Sequence, residues 1–153
     1  MGRIVYHGTW SGGAPHEYEA PFHAGTMQAT DDRAYDQVMA GEVPENSIKQ
    51  VHAYEISKTA PISRTLYNDP DAVAKDGYPA PRRVPQDRED KIYRYKNIRE
   101  DRGSTSYVIP AHFVGNHVKH LGVQFQRFHG DDNYLDTLLS AASTMVGGKY
   151  KAE

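Results

Sequence analysis

The chain predicts an α+β fold in which short strands outnumber helices. Three observations carry this. Alternating apolar and polar residues recur along the sequence, most clearly from Ile48 to Ile56, and a period of two marks a strand with one buried face. Two stretches, Met27–Met39 and Tyr134–Val146, have helical spacing instead. No internal repeat appears at solenoid periods, so 153 residues read as one domain, 1–153.

Arg3 to His7 reads as a strand that ends in Gly8-Thr9 and a turn-rich stretch through Pro15. Phe22 to Thr26 follows Pro21 as a second apolar point. The first helix begins after Thr26, a plausible N-cap, with Ala29, Ala34, Val38 and Met39 in loose helical spacing. Gly41 and Pro44 stop it. After the strand Ile48–Ile56, four prolines between Asn68 and Pro85 mark an excursion or lid loop, about 68–90. Lys91 to Asn97 and Ser106 to Pro110 read as strands. Val118 to Phe128 reads as another, with Val123, Phe125 and Phe128 inward. The last element, Tyr134 to Val146, aligns Leu135, Leu138, Leu139, Ala142 and Met145, is capped by Asp132 or Asn133, and ends at Gly147-Gly148.

Composition narrows the function classes. Mean hydropathy is −0.75, yet 11 Tyr, 4 Phe and 1 Trp supply apolar surface that disordered chains lack. The core is expected to be small and rich in tyrosine. No apolar run approaches the length of a membrane span, and MGRIVYHGTW contains no signal-peptide core. Net charge is −2, which disfavours a wholly basic polyanion-binding domain. With no cysteine, disulfide scaffolds, thiolate zinc sites and cysteine nucleophiles are excluded. This composition is compatible with a reducing cytoplasm.

Four segments carry candidate chemistry: Tyr6-His7-Gly8-Thr9; Phe22-His23-Ala24-Gly25-Thr26 with Asp32, Arg33 and Tyr35 behind it; Tyr95-Lys96-Asn97; and the run from Glu100 through Ser106-Tyr107 to Pro110. In this order they resemble the ADP-ribosyltransferase superfamily. The likeness is to the diphtheria-toxin and poly(ADP-ribose)-polymerase branch and to small phage-associated members, and it covers roughly residues 3 to 120. The resemblance implies a split antiparallel β-sheet sandwich with few helices. It implies NAD as co-substrate and transfer of one ADP-ribose to a host protein or nucleic acid. A phage-encoded protein of this kind would act in the host bacterial cytoplasm, away from membranes.

Residue by residue, the resemblance implies that His7 holds ribose hydroxyls, since an imidazole offers one donor and one acceptor. It gives Gly8 the nicotinamide carboxamide, where only glycine allows close approach, and Thr9 a supporting hydroxyl. Thr26 is the threonine of the second motif. Tyr35 is the aromatic expected to stack on nicotinamide, and reads equally as a helix-face core residue. Ala24 stands where the family has its first aromatic, so His23 or Phe22 must serve. The catalytic glutamate of the toxin pattern is replaced by Ser106. Glu100, at the glutamate of the phage-type pattern, is the substitute expected to stabilise oxocarbenium charge, with Asp101 beside it. Both also read as solvated loop charges.

The missing glutamate opens an alternative: a catalytically degenerate member acting as a binding or inhibitor module against host defence. An RNA 2′-phosphotransferase-like enzyme would need several basic pocket residues with no evident place in the sequence. Between Arg82 and Arg102 lie eight basic and five acidic residues. Arg94, Lys96 or Arg99 would face the pyrophosphate, or the run is a solvated edge. His112, His117 and His120 lack a supporting carboxylate at defined spacing, and no metal site is expected.

Overall fold

The structure is a computed structural model describing residues 2–44, 46–68, 84–85 and 87–127. The expected helix Tyr134–Val146, Phe128 and most of the 68–90 loop lie outside the described residues. Within them the architecture is α+β: two sheets and one α-helix. The first sheet orders β1 (Arg3–Thr9), β3 (Ile48–Ile56) and β7 (Val118–Arg127). The second orders β2 (Phe22–Ala24), β6 (Thr105–Ile109), β5 (Ile92–Lys96) and β4 (Ile62–Tyr67).

Strand parity decides what each face buries. In β1 and β3, Val5, Tyr54 and Ile56 face the second sheet and pack with Phe22, Tyr107 and Ile109. Tyr6, Val51 and Ala53 face the other way, toward Met27 on the helix. A third cluster, Val84, Tyr93, Tyr95 and Val108, covers the far face of the second sheet. The sheets meet at one backbone bridge, where Tyr6 N–H donates to Gly25 O at 2.7 Å and Gly25 N–H to Tyr6 O at 2.9 Å. Beyond this bridge they separate, and the gap is where the cleft lies.

The helix, α1 (Met27–Met39), matches its expected bounds because its signals are local. The Thr26 hydroxyl accepts from Ala29 N–H at 3.1 Å, and Gly41 takes φ 75° just past the end, a left-handed conformation that glycine adopts without strain. Its buried stripe is Met27, Asp31, Ala34 and Val38, spaced for one helix face.

Two expectations need correction. The sandwich is not wholly antiparallel: β4, which sequence reading passed over, pairs with β5 in parallel. The inward face of β7 also differs. Phe125 is 44% exposed, whereas Gln124 and Gln126 are buried. The register of β7 on β3 shifts between Ala53 and Tyr54, so His120 and Gly122 face consecutive β3 residues. A bulge exchanges the two faces of a strand, placing Gln124 opposite Val51 and Gln126 opposite Lys49.

Candidate functional site

A cleft of about 480 Å³ opens at the gap between the sheets. β1 contributes His7 and Gly8, with Trp10 just beyond its end. The end of β2 contributes His23, Ala24 and Gly25. Thr30, Arg33 and Gln37 face it from α1, Lys49 lies on β3, and Ser106 belongs to β6. The β5–β6 connection adds Asn97, Arg99 and Glu100.

Each polar group is held from behind. His7 Nδ1 lies 2.5 Å from the His23 carbonyl. A carbonyl only accepts, so this nitrogen carries the proton. Burial pushes the His7 imidazole below its usual range, against the opposing effect of that carbonyl. The neutral ring therefore keeps its lone pair on Nε2. His23 Nδ1 lies 2.9 Å from the Tyr95 hydroxyl. Asn97 donates its amide to Ser104 Oγ at 2.9 Å and to Ser106 Oγ at 2.8 Å.

The loop that carries Glu100 is tied to the N-cap and second turn of α1. Asp101 N–H donates to Asp32 Oδ2 at 2.7 Å, and the Thr26 hydroxyl donates to Asp101 Oδ2. Asp101 has φ 43° and Gly103 φ 89°, and this left-handed turn brings Ser104 back beside Asn97. Glu100 Oε1 lies 3.8 Å from Arg33 Nη1.

Lys49 is the buried cation of the cleft. Its ammonium donates to Thr30 O at 3.1 Å and to Asp31 Oδ1 at 3.3 Å. Burial pushes Asp31 up to about 6, with Lys49 opposing, and pushes Lys49 down, with Asp31 opposing. A side chain on Gly8 would meet Lys49 Cδ and Thr30 Cβ at 3.5 Å, so Gly8 lies directly against the lysine stem.

Of the sequence-predicted site residues, His7, Gly8, His23, Glu100 and Ser106 line this one cleft. Thr9, Thr26 and Tyr35 do not. Thr9 donates to Ser11 O at 3.0 Å, Thr26 caps α1, and Tyr35 packs with Ala34, Val38 and Val43. In the basic run, Arg99 reaches the cleft. Arg94 instead holds β4 through the carbonyls of Ser63 and Arg64 at 3.2 and 2.8 Å.

Trp10, Lys49 and the role of Asn97 were not read from the sequence. Strand parity could have found Lys49, since it shares a face with Val51 and Ala53. Asn97 stood in a quoted motif without a role. Outside the cleft, His52 Nδ1 lies 3.1 Å from His120 Nε2, and His16 Nδ1 lies 2.8 Å from the Tyr54 hydroxyl. Among the described residues no three or more His, Asp or Glu groups are placed to hold a metal ion. Nor is any helix among them long and apolar enough to cross a membrane. No protein-family model, curated protein or solved structure matches the chain.

Proposed function

We propose that the cleft binds NAD and that the protein transfers a single ADP-ribose to a host protein or nucleic acid. The observation supporting this reading most is convergence. His7 and Gly8, His23, Glu100 and Ser106 come from separate motif segments and line one cleft. Two guanidinium cations, Arg33 and Arg99, line the same space and suit a diphosphate. The volume lies in the ordinary range for small-molecule sites, about 300–1,000 Å³.

In the reaction, the bond between ribose C1′ and nicotinamide nitrogen breaks, and its electron pair leaves with nicotinamide. Glu100 stabilises the positive charge left on the ribose. A nucleophile on the acceptor then bonds to C1′ and loses its proton. His7 Nε2 accepts from a ribose hydroxyl, and the Gly8 backbone meets the carboxamide.

A second reading is favoured by one observation: position 106 carries a hydroxyl, held by Asn97, where this chemistry normally has a carboxylate. In that reading the cleft binds a nucleotide without turning it over, or binds none, and the protein acts as an inhibitor module. Nicotinamide release and thermal shift with NAD separate the two. The transferase reading expects release by the wild type, loss of binding in His7→Ala, and loss of release with binding retained in Glu100→Gln. Binding without release supports the second reading, especially if Ser106→Glu gains NAD hydrolysis. No shift with NAD removes the NAD cleft, and the transferase reading with it.

A further inference from the structure

We infer that Trp10 is the platform on which the purine end of the ligand stacks, so that the cleft selects dinucleotides over the nicotinamide half alone. This rests on the NAD reading of the same cleft.

The argument begins with cleft length. Its lining on α1 runs from Ala29 to Gln37, about 12 Å of helix axis at 1.5 Å per residue. β1 leads from the Tyr6–Gly25 bridge, beside the start of the helix, to Trp10, which is joined to Gln37 near the helix end. Strand and helix thus flank one elongated trough. His7, Gly8, Gly25 and Ser106 lie at the end that starts from the bridge. Trp10 and Gln37 lie at the other, with Arg33 and Lys49 between.

A mononucleotide seated at His7 and Ser106 would leave the Trp10 end unfilled. A dinucleotide spans it, with its diphosphate beside Arg33. The indole is fixed for such a task. Its N–H donates to Gln37 Oε1 at 2.9 Å, and the ring packs beside Ala34 and Val38, so it loses little freedom on stacking. Using the amide oxygen of Gln37 leaves its NH2 as the donor end, which suits the ring-nitrogen acceptors of a purine. Aromatic stacking on a base is tolerant of substituents and strong enough to set affinity.

Trp10 is the only tryptophan in the chain, so its emission reports this contact directly. Wild-type protein is titrated with NAD, ADP-ribose and nicotinamide mononucleotide, following emission and thermal shift together. NAD and ADP-ribose are expected to change Trp10 emission as they bind, while nicotinamide mononucleotide binds weakly and leaves it unchanged. By thermal shift, Trp10→Ala is expected to bind NAD roughly tenfold more weakly or worse, with Trp10→Phe recovering part of the loss and nicotinamide mononucleotide unaffected. Gln37→Ala, which frees the indole without removing it, should weaken NAD less than Trp10→Ala.

The inference is overturned if NAD stabilises the protein with Trp10 emission unchanged, or if Trp10→Ala binds NAD as tightly as the wild type. It is also overturned if nicotinamide mononucleotide changes emission as strongly as ADP-ribose. If NAD gives no shift in the wild type, the NAD reading itself falls and this inference with it.

Discussion

The side-chain amide of Asn97 reaches from the end of β5 to the hydroxyl of Ser106 on β6, at 2.8 Å. On the other side of that hydroxyl stands the backbone of Gly25. Ser106 is therefore held between a donor and a glycine that leaves no room for a side chain. Gly25→Ala would drive a methyl into Ser106 Oγ, an overpacking expected to cost about 1–3 kcal/mol in urea unfolding. Combined with Ser106→Ala, the cost should be clearly less than the sum of the two single changes. Strict additivity would show that the contact does not limit position 25.

The buried pair Lys49–Asp31 gives a second expectation. Lys49→Met strands a carboxylate whose environment already disfavours its charge, and breaking such a pair typically costs about 3–5 kcal/mol. A carboxyl whose folded pKa lies above its unfolded value favours folding most when protonated. That contribution is lost as pH rises through the folded value. The penalty of Lys49→Met should therefore be large at pH 7 and shrink toward pH 4, and Lys49→Met/Asp31→Leu should recover most of it at pH 7. A penalty independent of pH would contradict this.

Two histidines give an expectation for acid. His52 is pushed down to about 4, mainly by burial and then by His120, His7 and His16, and His120 is also lowered by burial and by His16, with Glu17 opposing. A histidine lowered in the folded state contributes stability that is full above its unfolded value near 6.5 and lost as pH falls toward 4. Thermal unfolding across that window should show Tm falling with acid, with a shallower slope in His52→Leu. An unchanged slope would assign the acid loss to other groups.

Thr26 joins two functions, as the cap of α1 and the anchor of the Glu100 loop through Asp101. Thr26→Val should lose about 1 kcal/mol of stability, as removal of a cap does, and lower nicotinamide release more than NAD binding. Thr26→Ser should restore both. Equal loss of release and binding would separate the loop tie from the chemistry.

Where signals were local, the sequence was readable. The cap at Thr26, the stop at Gly41 and the apolar–polar pattern of Ile48–Ile56 set their own boundaries. β4 was missed because it alternates between exposed and half-buried residues and shows no apolar face. The face of β7 was misread because one bulged residue exchanges inside and outside, which composition does not reveal. In the site, five residues quoted for the resemblance, His7, Gly8, His23, Glu100 and Ser106, line one cleft. Tyr35 was not placed, because at about 100° per residue it falls off the helix face that Arg33 and Gln37 present to the cleft. Trp10 was not singled out because the partner that fixes its indole, Gln37, stands twenty-seven residues away.

The parallel pairing of β4 with β5 changes the standing of the proline-rich stretch between them. Strands that run the same way cannot be joined by a tight turn, because the chain must return the length of the sheet before it starts again, which takes about a dozen residues or more. The connection from Tyr67 to Ile92 is thus a topological obligation. Its length is therefore constrained, and Val84 within it is buried beside Tyr93, Tyr95 and Val108. Cutting it to a hairpin would detach β4 and remove the carbonyls of Ser63 and Arg64 that hold Arg94.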